Sequence, residues 1–326
     1  MCLRVAKKIK TNNSLIKNAD DLITPRENTR AGFIAMALEK NYIAVPYIEE
    51  ARALKSLAKK ITKPSELLQL EDIRVGLLTA SGLSDKSLVF LTEDDKTVAI
   101  KGLIEKFLEP AGINFIDELV YRYLLTKGDA LGGKARNLAG TLGERKFLRS
   151  LISVFNISGI EFQWKDRTNF WHDKAEDDAE IEKNINGLFW SKNGRNRLLT
   201  MNISVPVVKK NVDLCILDGT ISELKKGDQS IIHKTDKYIA LGELKGGIDP
   251  AGADEHWKTA NSALVRIRKS FSSLNLKPKT FFVGAAIEKS MANEIFKELQ
   301  TGVLSNAANL TNDEQLTRIC EWIVNL

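Results

Sequence analysis

Cysteine is scarce in this chain of 326 residues: Cys2, Cys215 and Cys320 are scattered with no CxxC spacing. That argues against a zinc site and against a disulfide framework, and it fits a reducing compartment. No run of about 18 apolar residues is present, so a membrane-spanning helix is not expected. The first ten residues, MCLRVAKKIK, are basic but lack the apolar stretch of a secretory signal, which makes secretion unexpected. Walker A loops, strand-led GxGxxG turns, internal repeats and low-complexity tracts are also missing, which removes the familiar nucleotide-binding and solenoid readings.

What is there is an ordinary globular composition, 43% hydrophobic and 28% charged, with a formal net charge of +6. The length suits one large or two ordinary domains. Residues 1–60 hold twelve Lys or Arg against six Asp or Glu, so the whole excess lies there. Such a stretch suits a polyanionic partner, although an excess of this size also occurs in proteins that bind none.

The N-terminal part reads as helical. In NTRAGFIAMALEKN, Asn28 or Thr29 offers an N-cap, and Phe33, Ile34, Ala37 and Leu38 follow at helical spacing. Arg30 then falls in the first turn, where the helix dipole disfavours a cation and a phosphate would relieve it; a solvated surface arginine is the plain alternative. Helical pattern continues from Tyr47 to about Leu125, broken at Lys63–Glu66, Ala80–Ser87 and Glu109–Gly112. The stretch from Lys127 to Phe147, KGDALGGKARNLAGTLGERKF, reads as a glycine-rich basic loop, most simply an interdomain connection. Trp164, Trp171 and Trp190 suit a core or a stacking platform, with core packing favoured.

The C-terminal half alternates strands with helices, which points to an α/β architecture. MNISVPVVKKNVDLCILDG, Met201–Gly219, reads as a hairpin or bent strand pair, interrupted by Asp213. In KYIALGELKGG the strand period of two places Ile239, Leu241, Glu243 and Lys245 on one face. Two charges thus extend a core-facing row and need partners: each other, Asp213, water or a metal ion. After the strand, Pro250 can occupy the first turn of a helix whose inward face runs His256, Thr259, Ala260, Ala263, Leu264 and Ile267.

An Asp followed later by Glu-x-Lys suits metal-dependent phosphodiester hydrolysis. Hard carboxylate oxygens bind Mg²⁺, which polarises phosphate and acidifies water, while an adjacent ammonium positions the water or neutralises developing charge. The bare pattern is common by chance.

Four longer stretches are more specific: NTRAGFIAMALEKN, ASGLSDKS, KKNVD and GELKGGIDPAGADEHWKTA, spanning Asn28 to Ala260. Together they resemble the AvaI/BsoBI family of type II restriction endonucleases. The resemblance implies a PD-(D/E)xK, restriction-endonuclease-like mixed sheet flanked by helices, with an added helical N-terminal domain. It implies a division into residues 1–135, a mostly helical region that embraces DNA and dimerises, and residues 136–326, the catalytic domain. It also implies a homodimer on double-stranded DNA, Mg²⁺-dependent cleavage of the palindrome CYCGRG to 5′-phosphate and 3′-hydroxyl ends, a cognate methyltransferase guarding host sites, and a bacterial cytoplasmic setting.

Carried over by position, Asp213 and Glu243 match the family's catalytic, metal-holding acids and Lys245 its lysine. His256 matches a histidine near the scissile phosphate, either a general base or a hydrogen-bonding partner while Lys245 orients the water. The expected PD dipeptide reads Val212-Asp213, with Pro206 upstream. For a G·C-rich target, Asp249 is the candidate acceptor from cytosine N4, with helix capping as its alternative role. Lys210, Lys86 and Arg30 are the candidate DNA-binding cations, by base or by phosphate. Two other readings are a non-catalytic sequence-specific DNA-binding protein on this fold, and a repair or mobile-element nuclease of the same superfamily.

Overall fold

The structure is a computed structural model that describes residues 15–326, apart from Arg136, Ala175 and the side chain of Lys134. The N-terminal MCLRVAKKIK, with Cys2, lies outside the described residues. The chain falls into two compact units, Ile34–Leu138 and a second made of residues 1–33 with 139–326.

Ile34–Leu138 is helical. It takes in most of α1 (Arg26–Ala58), then α2 (Arg74–Ala80), α3 (Asp85–Leu88), α4 (Glu93–Leu103) and α5 (Phe115–Ala135). Ala51, Leu54, Leu67, Leu77, Ile100, Leu103, Leu108, Leu119 and Tyr123 form its core. The breaks expected near Lys63, Ser81 and Glu109 all fall between these helices or in short single turns. The apolar residues expected at helical spacing do lie on α1, but Ile34 and Leu38 are 62% and 66% exposed. Asn28 and Thr29 lie inside α1 rather than capping it, and Arg30 is past its first turn. Asn28 instead donates its amide to the Thr311 hydroxyl at 3.1 Å.

The second unit is a mixed α/β fold. After α6 (Leu138–Ile157) come β1 (Phe162–Asp166), β2 (Trp171–Asp173), β3 (Ile185–Lys192), β4 (Arg195–Val205), β5 (Lys210–Leu217) and β6 (Tyr238–Lys245). Helix α7 (Ala253–Ser272) leads to β7 (Lys279–Gly284), and α8 (Lys289–Thr301), β8 (Asn306–Asn309) and α9 (Asp313–Val324) close the chain. The strands form one sheet in the order β2-β1-β3-β4-β5-β6-β7-β8. It is antiparallel as far as β6 and parallel from β6 to β8. Long crossovers through α7 and α8 permit the parallel pairs. Between β3 and β4 a short turn suffices: Asn193-Gly194, both at positive φ, join them as the two-residue hairpin turn requires.

Helices cover both faces. Leu198, Cys215, Leu217, Leu241 and Phe282 share one core with Trp257, Leu264 and Ile267 of α7 and Ile295 of α8. On the other side Phe281 meets Trp322 of α9 edge-on at 5.6 Å, and Phe155 of α6 meets Trp190 at 5.2 Å. Trp190 is thus core, whereas Trp164 is half-buried and stacks on His172. The stretch 127–147 is corrected from loop to helix, forming the end of α5 and the start of α6. No helix among the described residues is long and apolar enough to cross a membrane.

Candidate active site

The hairpin β4–β5 and strand β6 place the expected triad. Leu214 pairs with Gly242 and Cys215 with Leu241, so the next position outward sets Asp213 beside Glu243. Both side chains project from the same face, as the strand period requires. The Lys245 ammonium lies between them, donating to Asp213 Oδ2 at 2.9 Å and to Glu243 Oε2 at 2.8 Å. The Leu244 backbone N–H also donates to Asp213 Oδ2, at 2.9 Å. That bond fixes the aspartate against the neighbouring strand.

Burial gives this group its electrostatics. Glu243 is only 3% exposed. Desolvation, and then the charge of Asp213, push its carboxyl up to about 7, against the opposing pull of Lys245. Burial alone would depress the Lys245 ammonium, but Glu243 and Asp213 outweigh it and hold the pKa above its ordinary value. Lys245 is therefore a cation at neutral pH. Two carboxylates against one ammonium leave this buried cluster short of positive charge.

A loop that begins at Gly246 continues the site. The ring of His256 lies over Gly247, where an added Cβ would come within 2.7 Å of Nε2. The expected face of α7 is corrected: its buried stripe is Ala253, Trp257, Ala260, Leu264, Ile267 and Phe271. His256 is on the half-buried flank, and Thr259 is exposed. Among the described residues nothing hydrogen-bonds the half-buried His256 ring. Asp249 is exposed and caps the turn at Pro250, accepting from the Ala251 N–H at 3.0 Å. Lys210 is exposed at the first position of β5, and Arg30 is exposed on α1. Lys86 is exposed in α3, within the helical unit.

One carboxylate here escaped the sequence reading. Glu144, in the second turn of α6, receives the Asn202 amide at 3.3 Å and pairs with Arg167 at 3.6 Å. Burial raises its pKa, offset by Arg167 and Asn202, with Asp213 adding to the rise. The helix comes close because glycine meets glycine: a Cβ on Gly246 would lie 2.5 Å from the Ala139 carbonyl and 3.0 Å from Gly143 Cα. Those same glycines suggested a loop in the sequence; helical spacing of Leu142, Phe147, Leu148 and Leu151 was the signal available.

The family model described as Restriction endonuclease BsobI matches residues 12–326. The chain belongs to that restriction endonuclease family. It is 54% identical over 312 residues to "Type II restriction enzyme AvaI" of Nostoc sp. and of Anabaena variabilis, covering 95% of this chain and 98% of each relative. It is 55% identical over 316 residues to "Type II restriction enzyme BsoBI" of Geobacillus stearothermophilus, covering 95% and 97%. Membership makes it a type II restriction endonuclease, a site-specific deoxyribonuclease, as the motif resemblance implied.

The residues present fit a divalent cation. Two hard oxygen donors from adjacent strands converge on one positive charge, and the raised proton affinity of Glu243 is what an added cation would relieve. Enzymes of this class generally use divalent metal, and Asp213 and Glu243 are the groups that would hold it.

Proposed function

We propose that the protein cleaves both strands of DNA at a short palindrome in a Mg²⁺-dependent reaction, leaving 5′-phosphate and 3′-hydroxyl ends. The observation that carries this reading is the convergence of Asp213, Glu243 and Lys245 at 2.8–2.9 Å on adjoining strands. Mg²⁺ held by Asp213 and Glu243 would supply charge stabilisation at the phosphate and a more acidic water. Lys245, fully protonated, serves as electrostatic partner to the phosphate and orients the attacking water; its raised pKa disqualifies it as a base. His256, whose ring is hydrogen-bonded by none of the described residues and lies over Gly247, is the group placed to take a proton or bind the phosphate.

The proposed target is CYCGRG, read in the major groove. Asp249 accepts from cytosine N4 with the carboxylate oxygen left free by its cap, and Lys210, Lys86 and Arg30 supply contacts to guanine or phosphate. A palindrome is met most simply by a two-fold homodimer. The stripe of Ile34, Leu38, Tyr42 and Val45, 47–73% exposed at three- and four-residue spacing along α1, supports a second copy packing there. In this proposal residues 1–135 embrace DNA and dimerise while residues 136–326 cut. The enzyme works in a bacterial cytoplasm beside a methyltransferase that protects host sites. Digesting plasmid with Mg²⁺ and then with EDTA, and sequencing the ends, tests the metal dependence, the target and the position of the cut. Cutting that survives chelation, or ends at no common sequence, refutes it.

A further inference from the structure

Glu144 stands beside the triad without belonging to it. Asn202, which holds one of its oxygens, lies opposite Asp213 on β4, between the pairs Met201 with Leu214 and Ile203 with Val212. Asn202 adopts φ of +51°, a left-handed conformation that asparagine tolerates better than most residues. From the other side, Gly143 abuts Gly246, the residue that follows Lys245. The second turn of α6 thus meets both β4 and the loop that follows β6. Yet the Glu144 carboxylate is loosely engaged, its two oxygens meeting partners only at 3.3 and 3.6 Å, with the side chain 20% exposed. The two acids of the site are held more tightly: Asp213 and Glu243 meet the Lys245 ammonium at 2.9 and 2.8 Å.

Direct coordination does not account for it. Among the described residues, no three acidic, histidine or cysteine side chains are grouped closely enough to grip one ion. A cation held by two carboxylates keeps several waters, however, and acceptors just beyond the ligands orient those waters. We propose that Glu144 is such an acceptor, a positioning residue that takes a hydrogen bond from a water bound to the cation at Asp213 and Glu243. The inference rests on the cation site put forward above.

The test is a Mn²⁺ titration of the full-length protein, followed by the paramagnetic resonance of free Mn²⁺, at fixed pH and salt. Outer acceptors of this type change metal affinity by about 10–100-fold when removed. Glu144→Gln, similar in shape but uncharged, is expected to weaken Mn²⁺ binding about tenfold, with thermal melting in EDTA unchanged. Glu144→Asp, which restores the charge, should recover most of the affinity. Glu243→Gln should abolish binding. If Glu243→Gln abolishes binding and Glu144→Gln stays within twofold of the parent, the role of Glu144 is overturned while the cation site stands. If Glu243→Gln also leaves binding intact, the cation site itself is wrong and this inference falls with it.

Discussion

Replacing Glu243 by alanine separates chemistry from binding. Cleavage should fall by at least about a hundredfold, the scale on which loss of one charge-stabilising group acts. Specific DNA binding, measured by gel shift with Ca²⁺ in place of Mg²⁺, should survive. A chain that used this fold only to bind DNA would have no cleavage to lose. The same residue sets a pH dependence. Its folded pKa of about 7 is above the usual 4.5, so without metal the folded state holds a proton that the unfolded chain has released. Between these values stability therefore falls as pH rises, and it is lower above pH 7 than below pH 4.5 by an amount on the order of a few kcal/mol. Cation binding runs the other way, because the proton must leave first. Mn²⁺ affinity should decline toward tenfold per unit as pH drops below 7, which calorimetry in two buffers would register as uptake of one proton by buffer. Lys245→Met should leave two facing carboxylates, lower the melting temperature in EDTA, and be rescued by Mn²⁺. Much of this residue-level detail was legible: Asp213 and the Glu-x-Lys pair can be placed because the strand period is two. Glu144 was not, since nothing in a one-dimensional pattern reveals that α6 touches the loop after Lys245.

The element that most depends on small residues is α6. Gly246→Ala would drive a methyl group into the Ala139 carbonyl, which is backbone and cannot step aside. Destabilisation of roughly 1–3 kcal/mol is expected, the usual range for overpacking, with cleavage reduced more than DNA binding; melting curves and initial rates check this. Strand β5 was readable from its β-branched and apolar content and β6 from its period of two. Helix α7 was readable in extent but misplaced by about one residue in rotation: the inward stripe takes in Ala253 and Trp257, and His256 is beside it. A large indole buried at 1% exposure, its Nε1 donating to Glu294 at 2.6 Å, decides the rotation against a smaller imidazole. The α5–α6 region failed for another reason. Gly128, Gly132, Gly133, Gly140 and Gly143 lower helix propensity, and tertiary contact, invisible locally, overrides it.

At the scale of the whole molecule, the sheet unit and the helical unit each have a core of their own. A helical pattern up to about Leu125 and strands alternating with helices in the C-terminal half are legible in the sequence, whereas nothing in it signals that Ile16 and Leu22 join the core of the sheet unit. The exposed stripe on α1 could not be anticipated, because its apolar spacing is the same as that of a buried face; only coordinates distinguish them. Leu38→Glu should shift sedimentation toward a monomer and reduce cleavage without lowering the melting temperature. Binding should also weaken steeply with salt, as neutralised phosphates regain counterions. Finally, Cys215 is fully buried on β5, two positions from Asp213, with its thiol pushed far above the ordinary value by burial. Alkylating reagents attack the thiolate, so this sulfur stays silent while the strand holds and answers once it opens. The rate at which iodoacetamide marks Cys215, mapped by mass spectrometry, is thus a clock for breathing of the catalytic strand, and substrate or metal that steadies the strand should slow it.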